Sequence, residues 1–218
     1  MRTKLVGRRR TVITRNTLVR FAMVAVGGLA VGIATSYLQG VLPGASNTLA
    51  NTGAVWSALG FGLVVAAALR GWPASVAGGI ALLGEVVGYY LIASPLRGFP
   101  STTFERVLWV AAALVIGPVV GWAAGWWATD RPWRRLAAVA MMAGIVVGEG
   151  LHGLLRIEGG GPQWWLEVVV GSAVGAIALI RYGQTAPPRL SGGLGILAVA
   201  FLIFIAYGLA PSVARSIR

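Results

Sequence analysis

Long apolar runs, separated by short clusters of glycine, proline and charged residues, dominate this chain. A helix needs about 20 apolar residues to cross the hydrocarbon core of a bilayer, and seven runs reach or approach that length. Proline and glycine clusters, which disfavour helix continuation, mark most of their ends. The predicted spans are Phe21–Val41, Gly53–Leu69, Ala74–Ala93, Phe104–Ala128, Leu136–Leu155, Trp164–Ile180 and Gly193–Ala210.

The pattern predicts an all-α fold, a polytopic transmembrane helical bundle of about seven spans. The second run is short and contains Trp56 and Ser57; six spans would remain if it did not cross, and every later helix would then reverse. A kink is expected at Gly117-Pro118, because proline removes a helical hydrogen bond. Three segments are expected: a basic arm (residues 1–20), one transmembrane domain (21–210) and a short basic tail (211–218).

Charge placement orients the predicted bundle. Lysine and arginine favour the cytoplasmic side of a membrane protein, and most of the eighteen basic residues lie in the arm or in loops on its side. This favours a cytoplasmic N-terminus and an outer C-terminus. The same distribution explains the net charge of +12, so nucleic acid is not expected as a partner. The bilayer itself is the first expected partner.

Composition excludes several classes of protein. Apolar residues make up 57% of the chain and charged residues 11%, against about 25% charged residues in soluble domains. No cysteine is present, which excludes disulfides and thiol chemistry. One histidine, His152, cannot form a multi-histidine site, so we expect neither a metal nor another cofactor. Without a serine-hydrolase motif or a membrane-embedded lysine, enzyme activity and a retinal Schiff base are not expected either.

Three carboxylates lie inside predicted spans. The chain has only six acidic residues, and Glu85, Glu149 and Glu167 fall within apolar runs. A charged carboxylate at bilayer depth costs about 2.5–3.5 kcal/mol on insertion scales, so such residues are rare unless they are paired or functional. At about 1.5 Å per residue, Glu85 is expected just past the midplane and the other two in the outer half.

These acids gather on the outer side together with aromatic residues. The asymmetry predicts a pocket, open to the outside, that binds or transports a small and cationic or amine-bearing solute, since aromatic ring faces attract cations by about 0.5–2 kcal/mol. Interface anchoring would also explain Trp164, and Glu149 would also be explained by pairing with Arg156 or Arg106. The predicted substrate-binding residues are Glu85, Tyr89, Glu149, His152, Trp164 and Gln39.

Two resemblances add to this interpretation. The segment Gly28 to Ser36 and the segment Gly84 to Tyr90, with several polar residues between them, resemble an uncharacterised family of small actinobacterial integral membrane proteins. This resemblance implies the architecture and a multi-pass position in a bacterial plasma membrane, and no function. The intervening matched residues are Gln39, Leu42, Pro43, Asn47, Asn51 and Trp56.

The second resemblance is to the substrate-capture subunits of energy-coupling-factor vitamin transporters. It rests on the chain's size, its outer polar residues and the small residues of the first span. In that family a small bundle binds a vitamin from outside, and its first helix docks on an energising partner. The resemblance implies a docking face at Gly28, Gly32 and Ala34. Those subunits usually have six spans rather than seven.

Two functions from different classes therefore stay open. One is a solute-binding or transport protein, for which Glu85→Gln is expected to abolish binding in a folded protein. The other is a non-catalytic accessory subunit of a larger membrane complex. It is favoured by the thirty-two glycines, because small residues let helices approach closely within a chain or between subunits.

Overall fold

Eight helices form the part of the chain that the computed structural model describes, residues 15–93, 95, 98, 101–157, 161–183 and 188–216; no strand occurs in these ranges. Seven stretches are long and apolar enough to span a membrane, one of them being Ser46–Ala66. The prediction of an all-α polytopic bundle is confirmed. The helices are α1 (Arg15–Val41), α2 (Gly44–Ala50), α3 (Gly53–Ala66), α4 (Trp72–Ala93), α5 (Thr103–Trp127), α6 (Pro132–Arg156), α7 (Pro162–Tyr182) and α8 (Pro188–Ser216).

Capping residues and prolines set several helix ends. The Thr52 hydroxyl accepts a hydrogen bond from the Val55 amide at 3.2 Å and so caps α3. This cap separates α3 from α2 within the apolar stretch Ser46–Ala66. Thr102 and Glu105 form a reciprocal capping box at the start of α5. The helices α6 and α7 begin at prolines, which fit a first turn because its N–H groups have no helical partner.

Two helices, α1 and α8, extend beyond the predicted limits of the transmembrane domain, residues 21–210. Helix α1 begins at Arg15, so the end of the predicted basic arm is helical, while residues 1–14 lie outside the described ranges. Helix α8 continues to Ser216 into the predicted tail. Helix α5 is continuous through Pro118, whose carbonyl accepts a hydrogen bond at 2.8 Å from the Ser75 hydroxyl of α4.

The long helices pack as two groups, which are joined by α3 and by direct contact between α5 and α6. In the α4 group, α4 lies between α1 and α5; in the α6 group, α6 lies between α7 and α8. Helix α3 contacts α4 and α5 of the first group and α6 of the second. A ligand site that involves α3 is therefore built from both groups.

Glycines bring the backbones of the α4 group close together. A Cβ atom built on Gly28 would lie 2.5 Å from the carbonyl oxygen of Ala81, and one on Gly32 would overlap the backbone of α4 one turn further along. Gly117 of α5 faces Gly78 of α4 in the same way. These glycines thus make close contacts inside the chain.

Candidate functional site

A cavity of about 160 Å³ opens at one end of the bundle, where α3 and α5 begin and α4 ends. Four aromatic rings surround it. The ring centroids of Trp56 and Tyr89 are 5.7 Å apart, those of Tyr89 and Tyr90 5.3 Å, and those of Trp56 and Trp109 6.4 Å. We call this space the aromatic cavity; its lining consists of Asn51, Gly53, Trp56, Tyr89, Tyr90, Glu105 and Trp109.

The antiparallel course of the helices explains why these residues meet. The two tyrosines lie near the end of α4, whereas Trp56 and Trp109 follow the starts of α3 and α5. A helix end and two helix starts therefore meet at the same level of the bundle. The charge pattern of the sequence predicts that this end faces the outer side of the membrane.

A hydrogen bond from the end of α1 fixes Tyr89. Its hydroxyl donates to the Gln39 side-chain oxygen at 2.6 Å, and the residue is 5% exposed. Two of the predicted site residues, Gln39 and Tyr89, are thus brought together. Tyr89 contributes its ring to the cavity, and Gln39 holds that ring in place.

Glu105 and Arg106 set the charge at the cavity. The Glu105 carboxylate lines it and also accepts a hydrogen bond from the Thr102 amide at 2.9 Å, within the capping box of α5. The Arg106 guanidinium carbon lies 5.6 Å from the centroid of the Tyr90 ring. The Tyr90 ring is therefore already in a cation–π contact with Arg106 of the same chain.

Glu149 lies behind the cavity and is engaged by the protein. Its carboxylate accepts hydrogen bonds from the first two amides of α3, at Gly53 (2.9 Å) and Ala54, and from the Tyr207 hydroxyl at 3.0 Å. A carboxylate at a helix N-terminus satisfies unpaired amides and the helix dipole. Glu149 thus holds the start of α3 against α6 and α8. One of its partners, Gly53, also lines the cavity.

The other predicted residues of the α6 group, His152 and Trp164, contact neighbouring helices of that group. The His152 ring lies 5.3 Å from that of Tyr207 and 5.9 Å from that of Phe204. Trp164 is buried, with its indole against Gly153. Neither lines the aromatic cavity, so these two residues and Glu149 lie apart from Gln39 and Tyr89.

Glu85 is the most deeply buried acid. It is 0% exposed and lies one helical turn before Tyr89, and neither carboxylate oxygen has a hydrogen-bond partner among the described residues. A Cβ atom on Gly60 of α3 would lie 3.5 Å from one of these oxygens. Glu85 therefore faces α3 below the aromatic cavity rather than lining it.

The small residues of α1 do not form one outward face. Gly28 and Gly32 are buried against α4, whereas Ala34 is exposed. The transporter resemblance implies that a partner docks on this face. At Gly28 and Gly32, however, the face is covered by α4, which can approach closely because glycine has no side chain.

Sequence reasoning missed Glu105 as a site residue and left Trp56, Tyr90 and Trp109 out of the site. One available signal was Thr102-x-x-Glu105, which is typical of a helix start. It places Glu105 in the first turn of α5, with Trp109 four residues later on the same helix face.

The described residues contain no group of three or more histidine, cysteine, aspartate or glutamate side chains arranged to hold a metal ion. The aromatic cavity offers ring faces and one acid instead. Such a lining attracts organic cations by electrostatics.

Comparison with known proteins gives a family. No curated protein and no solved structure matches the chain. A family model described as a family of unknown function, DUF6518, matches residues 12–213, which includes all seven membrane-length stretches. The chain belongs to this family.

Proposed function

We propose that this protein binds a small organic cation in the aromatic cavity, without catalysis, at the outer face of a bacterial plasma membrane. The observation that carries the proposal is the set of four rings around one space, with the carboxylate of Glu105 at its lining. Aromatic cages of this kind favour quaternary ammonium groups, because the negative ring faces replace water around a weakly hydrated cation.

The size of the cavity narrows the class of ligand. Its volume of about 160 Å³ is below the roughly 300–1,000 Å³ of pockets for drug-sized molecules. A single ammonium group with short substituents suits this space better than a vitamin does. The proposal therefore keeps the cationic solute predicted from sequence and departs from the vitamin-sized ligand that the transporter resemblance implies.

The accessory-subunit hypothesis has lost one of its supports. It was favoured by glycine faces, and Gly28, Gly32 and Gly117 are used for contacts within the chain. No described surface singles out a membrane-protein partner or an energising module. Ligand binding is therefore the better-supported function.

The test is binding of choline to the purified protein in lipid nanodiscs, measured by isothermal titration calorimetry. The matched probe is 3,3-dimethylbutan-1-ol, in which carbon replaces the charged nitrogen. We expect choline to bind and the neutral analogue to bind much more weakly. Trp109→Leu is expected to weaken choline binding about 2- to 30-fold, from the range of 0.5–2 kcal/mol for one cation–ring contact.

Trp122→Leu is the matched control, since Trp122 lies on the same helix, is 54% exposed and does not line the cavity. Glu85→Gln tests the sequence-based hypothesis, which expects binding to be abolished. If Glu85→Gln binds choline as tightly as the unchanged protein does, Glu85 is not part of the site. The proposal for the aromatic cavity would then still stand. Equal affinity for choline and its neutral analogue would contradict the proposed function.

A further inference from the structure

A second space adjoins the aromatic cavity. It is an apolar groove of about 410 Å³ between α5 and α8, and α3 and α4 form its floor. The two wall helices make little contact with each other. Its α5 wall runs from Leu108 to Ile116, about 12 Å along the helix axis, so the groove extends from the level of the cavity toward the middle of the membrane.

The groove opens toward the lipid. Val115 and Ala206, on opposite walls, are both exposed. The floor is formed by Ser57, Leu82 and Val86. In a chain that spans the membrane, the occupant of such a groove has an apolar chain.

The groove and the aromatic cavity share a wall. Gly53, Trp56 and Trp109 line both spaces. One molecule that passes between the two tryptophans would therefore place one end among the rings and Glu105, and the other end in the groove.

Resting on the proposed cation site, the geometry points to a membrane lipid with an amine head group as the ligand. Its ammonium group occupies the aromatic cavity, its linking region passes between Trp56 and Trp109, and one acyl chain lies in the groove between α5 and α8. The ligand enters sideways from the bilayer rather than from water.

The experiment uses phosphatidylcholine with a diazirine in one acyl chain, photolysed with the protein in nanodiscs, and labelled peptides mapped by mass spectrometry. The control probe is phosphatidylglycerol with the same chains and diazirine. We expect labelling of groove residues of α5 and α8 that is about tenfold stronger with the choline lipid, the ratio that corresponds to about 1.4 kcal/mol. Ala112→Trp, which fills the groove, is expected to abolish it.

Leu114→Trp is the matched control, because Leu114 is exposed on the same helix and does not line the groove. Unchanged groove labelling in Ala112→Trp, or equal labelling by the two lipids, overturns the lipid assignment. If choline itself still binds and depends on Trp109, the cation site stands and only the lipid assignment fails. If choline does not bind and the two lipid probes label the groove equally, both proposals fail.

Discussion

At the scale of single residues, the three buried acids have different surroundings. Glu149 accepts hydrogen bonds from the backbone of α3 and from Tyr207, whereas Glu85 has no partner among the described residues. Glu167 is buried near Glu149 and Thr52. Sequence alone placed all three at membrane depth, but it could not show their partners, because those come from other helices.

Glu149→Ala is expected to lower the free energy of unfolding by about 1–3 kcal/mol for each buried amide that loses its acceptor. The amides of Gly53 and Ala54 would be left without their acceptor. Thermal unfolding in mixed micelles measures this. Glu105→Ala, which removes an exposed capping carboxylate, serves as the control and should cost about 1 kcal/mol. Equal losses in both variants would contradict the anchoring role of Glu149.

Glu85→Leu is expected to raise the free energy of unfolding by about 1–3 kcal/mol, because it removes a buried polar group that has no protein partner. Glu85→Gln should change stability little, since it keeps the shape. Both are measured by the same unfolding assay. A marked loss of stability in Glu85→Leu would instead mean that water or a bound ligand satisfies the carboxylate.

At the scale of helices, glycine spacing predicted close packing but not the partner helix. Gly28-x-x-x-Gly32 indicated a packing face on α1, and the structure places α4 against it. Small residues permit close approach to any helix, so the choice depends on the whole packing arrangement. The helix ends were more predictable, since prolines and capping threonines act locally.

Gly32→Ala is expected to destabilise the fold by about 1–3 kcal/mol, the usual cost of overpacking. The added methyl group would overlap the backbone of α4. Gly62→Ala is the matched control, because a Cβ atom at this exposed helical position meets nothing within 4 Å. It should be neutral or stabilising by up to about 1 kcal/mol. Similar unfolding curves for the two variants would contradict close α1–α4 packing.

At the scale of the whole molecule, the described residues contain seven stretches of membrane-spanning length, and this odd number predicts that the two ends of the bundle lie on opposite sides of the membrane. The all-α bundle followed from run lengths, which report directly on bilayer thickness. The aromatic cavity followed only in part: Tyr89 was predicted as a site residue, whereas Glu105 and Trp109 were not. Their contribution depends on α5 packing beside α3 and α4.

The absence of native cysteine permits a direct test of orientation. Thr103→Cys and Asp130→Cys place single thiols at exposed positions beside opposite ends of α5. With a cytoplasmic N-terminus, a membrane-impermeant maleimide should label only Thr103→Cys in intact cells. Permeabilised cells should show labelling of both. Labelling of Asp130→Cys alone in intact cells would reverse the topology and put the aromatic cavity on the cytoplasmic side.

The carboxylate that holds the first turn of α3 also limits how the bundle can move. Glu149 ties this turn to the α6 group by polar bonds, whereas α3 packs on α4 and α5 largely through apolar side chains and glycine. Any movement of this turn away from α6 would break these hydrogen bonds. Trp56 lies one helical turn after Gly53, so Glu149 also limits where one ring of the aromatic cavity can lie.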